Sequence, residues 1–200
     1  MKKLLIATHN LGKISDYTEI FRNHPFDLLT LKDLNITQQA EEFGENFEEN
    51  SLYKAKFYGN LSGFLTLADD GGLEIPILDN YPGVKTRRWE SDKPLTDEQL
   101  VEKILKKLEK YNSKDRRAIL RTVITIYNPD NGKYLQATGT IEGEIAKQIS
   151  NNVQPGYPIR SIFFISKAGK YLSELTKKEK NIYNHRLIAV KKIIKEINTL

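Results

Sequence analysis

Two rhythms of apolar and polar positions divide this chain. Lys2 to Thr8 carries a compact apolar run suited to a buried strand. Asn10, Leu11, Gly12 and Lys13 follow it, and then Ile14, Tyr17 and Phe21 recur at helical spacing, which predicts strand, turn and helix in succession. Phe26 to Leu31 reads as a second strand. Phe47 to Tyr58 reads as a helix on which Asn50 and Lys54, one turn apart, share a face. Phe64 to Ala68 returns to strand character and ends on Asp69, Asp70, Gly71 and Gly72, where the glycines permit a tight turn.

Thr96 and Gln99 form a capping-box signature ahead of an apolar stripe made by Leu100, Val101, Ile104, Leu105 and Leu108. The chain then becomes β-rich. Ala118 to Tyr127 and Tyr134 to Ala146 are separated by Asn128, Pro129, Asp130, Asn131 and Gly132, a turn cluster that predicts a long antiparallel hairpin. One more short strand is expected over Ile162 to Ile165, and a closing helix with Leu187, Val190, Ile194 and Ile197 on its core face. No internal repeat or low-complexity linker interrupts the chain. The pattern therefore predicts an α/β protein with a mixed sheet, residues 1–200 forming a single domain.

Composition narrows the setting. No run approaches the roughly 18 consecutive apolar residues that a membrane span requires, and the apolar stretch in MKKLLIA is too short for a signal peptide. With no cysteine, disulfides, thiolate metal sites and a thiol nucleophile are excluded. A cytoplasmic protein without membrane contact is expected. The formal charge of +5 suits either a nucleic-acid binder or a site for a small polyanion. Acidic residues gather at Glu41, Glu42, Glu45, Glu48 and Glu49, and lysines at Lys167 to Lys180 and Lys191 to Lys195. The last cluster reads as a solvated helix face.

Several constellations carry chemistry. Thr8 to Lys13 has the shape of a strand-to-helix turn whose backbone N–H groups and helix dipole suit phosphate. Gly12 would let the backbone approach an anion and Lys13 would add a point charge, although an ordinary βα turn with a glycine has the same look. The G-x-x-x-x-G-K-[ST] spacing is missing, so this is not a P-loop. Adjacent Asp69 and Asp70 at a strand terminus would repel each other unless a cation intervened, and Mg²⁺ is the natural candidate. Glu41 and Glu42 offer a second carboxylate pair or a solvated loop. His185 stands beside Arg186, which could grip phosphate or a base edge. Tyr157, Phe163 and Phe164 serve either core packing or stacking.

Taken in order, these pieces resemble the inosine triphosphate pyrophosphatase family, enzymes that clear aberrant purine nucleotides such as ITP, dITP and XTP. The likeness runs through Ala7-Thr8-His9-Asn10-Leu11-Gly12-Lys13, Glu41-Glu42-Phe43-Gly44 and Phe47 to Lys56. It continues through Leu67 to Glu74, Tyr81-Pro82-Gly83-Val84, Glu174-Leu175 with Lys180, and His185-Arg186. The resemblance implies a mixed sheet with two lobes around a cleft, and a homodimer. It implies that Thr8, His9, Asn10, Leu11, Gly12, Lys13 and Lys54 hold a nucleoside triphosphate, with Gly71 beside them. Glu41 or Glu42 together with Asp70 would bind Mg²⁺, and Asp70 would accept the proton of the attacking water. Lys180, His185 and Arg186 would reach the nucleotide from the far side, Arg186 facing the base.

One segment departs from the family pattern. Relatives of this kind carry Gly-Phe/Trp-Gly-Tyr-Asp-Pro before the short strand, whereas this chain has Gly156-Tyr157-Pro158-Ile159-Arg160-Ser161. Aligned on Ile162-Phe163-Phe164, an acid has become Arg160, which donates where an acid accepts, so the base edge being read is expected to differ. Gly71 and Asn184 each replace an expected serine. Two other functions compete: a hydrolase for dUTP or another common or modified nucleotide, and a non-catalytic nucleotide- or nucleic-acid-binding module. The absence of a helix-turn-helix, zinc finger or stacking motif argues against nucleic acid.

Overall fold

The computed structural model describes residues 2–41, 44–91, 93–112 and 115–200. Its strands are β1 (Lys2–Ile6), β2 (Phe26–Thr30), β3 (Leu65–Ile75), β4 (Tyr81–Gly83), β5 (Arg117–Tyr127), β6 (Tyr134–Ile145), β7 (Phe163–Ile165) and β8 (Lys170–Tyr171). Its α-helices are α1 (Leu11–Phe21), α2 (Phe47–Ser62), α3 (Asp97–Lys107), α4 (Lys177–Lys180) and α5 (His185–Ile193). The strands form one sheet in the order β2-β1-β3-β5-β6-β7-β8, with β4 paired to β3. β1 lies parallel to β2 and β3, while β4, β7 and β8 join antiparallel. The expected α/β class and mixed sheet are therefore observed. No helix among the described residues is long and apolar enough to cross a membrane.

Contacts gather the chain into two compact units, neither of them contiguous in sequence. Unit 1 comprises residues 1–70, 122–139 and 186–200, and unit 2 comprises 71–121 and 140–185. In unit 1, β1 is buried on both faces from Leu4 onward, which is why that part of it is an unbroken apolar run after two exposed lysines. Leu4 and Ile6 pack with Leu65 and Leu67 of β3, Tyr17 and Phe21 of α1, and Ala189, Val190 and Ile193 of α5. Leu5 and Ala7 point the other way, to Ala68 of β3 and to Ala55 and Tyr58 of α2. The strand period of two thus sorts the core into an α1/α5 side and an α2 side.

The C-terminal helix departs in part from expectation. Val190 and Ile197 are buried as expected, together with Ala189 and Ile193, but Leu187 and Ile194 are only half-buried, and the helix ends at Ile193 and continues as a 3₁₀ turn over Ile194–Thr199. That change of pitch shifts the apolar stripe. Lys192 is not wholly solvated, since its ammonium donates to the Thr138 carbonyl at 2.7 Å. The hairpin turn is as expected, with Asn128 and Lys133 bonded across it and the connection too short for a parallel crossover.

In unit 2 the Thr96 capping box is present and starts α3, whose Leu100, Val101 and Ile104 are buried. Arg116 closes that helix by donating to the Leu108 carbonyl and, beyond it, to those of Ile145 and Ala146. Gly71 and Gly72 do not make a tight turn, because β3 runs straight on to Ile75. Gly72 is required by close approach: a Cβ there would lie 2.4 Å from the Gly83 carbonyl oxygen and 2.5 Å from Thr86 Oγ1. Thr86 occupies that space because its hydroxyl links the Leu73 N–H at 3.0 Å to the Gly83 carbonyl at 2.6 Å. Gly72→Ala is expected to cost about 1–3 kcal/mol, the scale of overpacking, measurable as a fall in the urea midpoint.

Candidate active site

The most strongly charged interior of unit 1 is built on β3. Consecutive strand residues face opposite sides of a sheet, so Asp69 continues the Leu65–Leu67 side and Asp70 the Ala68 side. The adjacent carboxylates therefore face opposite sides of the sheet. Each has its own lysine.

On the α1/α5 side, Lys13 Nζ lies 3.0 Å from Asp69 Oδ1, and Arg186 Nε 3.2 Å from Oδ2. The Thr122 hydroxyl of β5 has one proton to give, to Oδ2 at 3.3 Å or to the Asp70 carbonyl at 3.2 Å. Arg186 also reaches Asp16 Oδ2 at 3.1 Å, and Asp16 belongs to the same helix as Lys13. Burial alone would raise the Asp69 carboxyl, but the charges of Lys13 and Arg186 and the hydrogen bond from Lys13 hold it well below the ordinary carboxylate range. Burial also lowers Lys13, which Asp69 opposes. The Tyr17 hydroxyl is fully buried without a partner at normal hydrogen-bonding geometry, and burial together with the nearby Asp69 charge pushes it well up.

On the α2 side, Lys54 Nζ donates to Asp70 Oδ1 at 2.9 Å and Asn50 Nδ2 to Asp70 Oδ2 at 3.1 Å. The shared helical face of Asn50 and Lys54 is thus turned onto one carboxylate. Asn50 is oriented from behind, because its Oδ1 accepts the Gly44 N–H at 2.8 Å. The loop ahead of α2 is fixed at both ends. Tyr58 donates to the Gln38 carbonyl and accepts the Ala40 N–H, each at 3.1 Å, and His9 Nε2 meets the same Gln38 carbonyl at 3.1 Å. Glu49 and the Asn46 cap hold the other end. Exposed Glu41 lies between these anchors, and Glu42, the other candidate ligand, lies outside the described residues.

The turn into α1 is partly filled from within. Asn10 caps the helix and its Oδ1 accepts the N–H groups of Gly12 and Lys13 at 2.9 and 3.2 Å, while Thr8 Oγ1 accepts that of Asn10. What this turn offers an anion is therefore the Lys13 ammonium and the helix dipole rather than those two N–H groups. Leu11 is exposed beside it.

Gly71, Tyr157, Arg160, Lys180 and His185 belong to unit 2. There the Arg160 guanidinium stacks on the Tyr157 ring, 3.4 Å from its centroid, and donates to Gln154 Oε1 at 3.3 Å. Lys180 ends α4, which a Thr176–Glu179 capping box starts, and buried His185 starts α5.

A model of the Ham1 family matches residues 4–196. The chain belongs to the Ham1 family. It is similar to a protein named dITP/XTP pyrophosphatase from Bacillus subtilis, 32% identical over 197 residues that span 98% of this chain and 96% of the relative. A relative of the same name from Wigglesworthia glossinidia brevipalpis is 38% identical over 196 residues, 98% of this chain and 96% of its own. Among solved structures, a HAM1 protein from Coxiella burnetii superposes with a TM-score of 0.84 at 29% identity, and a Ham1 protein from Staphylococcus aureus with 0.81 at 32%. The first match covers 100% of both chains and the second 99% of both.

In this Ham1 protein three contributors escaped the sequence reading. Asp16 and Tyr17 follow Lys13 by one helical turn and so share its face, a signal present in the spacing. Thr122 carried none, being one polar residue in a β-rich run. Among the described residues no three acidic or histidine side chains converge as a ready-made metal cage.

Proposed function

We propose that this Ham1 protein hydrolyses a nucleoside triphosphate at the α–β anhydride, releasing the monophosphate and pyrophosphate, with a purine triphosphate such as dITP, ITP or XTP as substrate. The observation that carries the proposal is the pair of buried carboxylates on β3, each bonded to a separate lysine, Lys13 at 3.0 Å and Lys54 at 2.9 Å. The relatives named dITP/XTP pyrophosphatase support the substrate class.

Lys13 and Lys54 neutralise phosphate charge, which lowers the barrier where negative charge builds up on the leaving pyrophosphate. Asp70 is held as a carboxylate by Lys54 and Asn50, the form that can take the proton of the attacking water. The donor set fits a magnesium ion that draws most of its ligands from water and phosphate, with Asp70 and either Glu41 or Glu42 as the protein carboxylates. Bound Mg²⁺ supplies Lewis-acid polarisation of the phosphate oxygens.

Pyrophosphate release from ITP, XTP, dITP, dUTP and the four common triphosphates tests this. Metal-dependent release, strongest for the purines ITP, XTP or dITP and abolished by EDTA, is expected, and silence across the panel overturns the proposal. Arg160→Asp in the same panel reads base choice. An unchanged substrate ranking removes Arg160 from base recognition.

A further inference from the structure

Asp69 has little capacity left. Its side chain is 1% exposed, one oxygen accepts from Lys13, and the other accepts from Arg186 with the Thr122 hydroxyl 3.3 Å away. A carboxylate offers about four lone-pair sites, and magnesium requires oxygens at close to 2 Å in octahedral array while keeping several waters. A carboxylate enclosed by two cations and a hydroxyl cannot meet that demand. Asp69 is itself held in place, because Arg186 is anchored on Asp16 at 3.1 Å and the charges alternate along Lys13, Asp69, Arg186 and Asp16. The network joins α1, β3 and α5, so the one flexible member, Lys13, is fixed by three elements of the fold. A lysine ordered before its ligand arrives has less conformational freedom to lose on binding.

We infer that Asp69 is a positioning residue that aims the Lys13 ammonium at the triphosphate and takes no part in holding the divalent cation. This deepens the pyrophosphatase reading above and rests on it. Asp70, alone of the adjacent pair, is then the carboxylate of β3 left for the metal and the water.

The test is Asp69→Asn in the full chain, with two readouts. In calorimetric titration with ITP in EDTA, Asp69→Asn is expected to weaken binding roughly tenfold, the scale of one lost charge-assisted hydrogen bond. Lys13→Met should weaken it similarly, and the double variant no further than Lys13→Met alone. In pyrophosphate release, the Mg²⁺ concentration for half-maximal rate should stay within about twofold of wild type. Additive losses, or a metal requirement raised about tenfold, overturn the inference. Should Asp69→Asn fail to fold by circular dichroism, Thr122→Val decides. It removes the hydroxyl beside Asp69 Oδ2 and the Asp70 carbonyl while keeping the shape, and is expected to weaken ITP binding severalfold without adding to Lys13→Met, a loss that adds to that of Lys13→Met overturning the inference. Wild-type protein that binds ITP but releases no pyrophosphate from any triphosphate sinks the pyrophosphatase reading while leaving the Lys13–Asp69 coupling measurable.

Discussion

Asp70→Asn is expected to lower kcat for pyrophosphate release by about 10²–10⁴-fold, the usual range for removing a general base. Triphosphate affinity in EDTA should change much less, because Lys13 and Lys54 remain. The amide cannot accept the water's proton, and its orientation is awkward on both sides. Asn50 is locked with its Nδ2 toward Asp70 by the Gly44 N–H, while Lys54 donates to the other oxygen, so the new NH₂ must face a donor either way. A melting curve separates this strain from the catalytic loss. Turnover within tenfold of wild type removes Asp70 from the proton-accepting role.

The elements of the fold were legible where packing and pattern coincide. From Leu4 onward β1 reads as a continuous apolar run because it is buried there on both faces, and α3 announces itself through Thr96 and Gln99, whose bonds form as the capping box requires. Gly71 and Gly72 misled because a glycine pair signals a turn or a close approach with equal force. Only the structure shows that the Gly83 carbonyl and Thr86 fill the space beside Gly72. The end of α5 was only partly legible for a related reason: Ile197 is buried as the pattern predicts, but a switch from α to 3₁₀ pitch leaves no mark on composition and yet buries Ile193 in place of Ile194.

The site was legible in its parts and not in its pairing. Asn50 and Lys54 are one turn apart, so their convergence on a single partner followed from helix geometry. That the partner is Asp70, and that Asp69 turns to α1, required knowing that β3 continues through both aspartates. Once it does, period two alone separates the carboxylates. Arg186 lies 117 residues from Asp69 in sequence, and no local pattern encodes that contact. The family resemblance implied that Arg186 faces a base; the structure adds its bonds to two carboxylates of its own unit.

That bonding gives Arg186 the largest expected effect on stability. Arg186→Met is expected to destabilise the protein by about 3–5 kcal/mol near neutral pH, since it leaves buried Asp69 and half-buried Asp16 with fewer partners. In a chain of this size the loss corresponds to a melting temperature lower by roughly 10 °C. The sign of the pH dependence follows from Asp69. Its folded pKa is depressed below the unfolded value of 3.8, so its contribution is fully present above that value and is lost as pH falls from there through the folded pKa. Removing Arg186 takes away one of the charges that depress it, so the variant has less of this contribution to lose than wild type. The gap between the two should therefore narrow as pH falls below about 4. Urea denaturation at several pH values measures it. A deficit below about 1 kcal/mol at pH 7, the scale of a solvent-exposed pair, or one that widens in acid, contradicts a buried network of alternating charge.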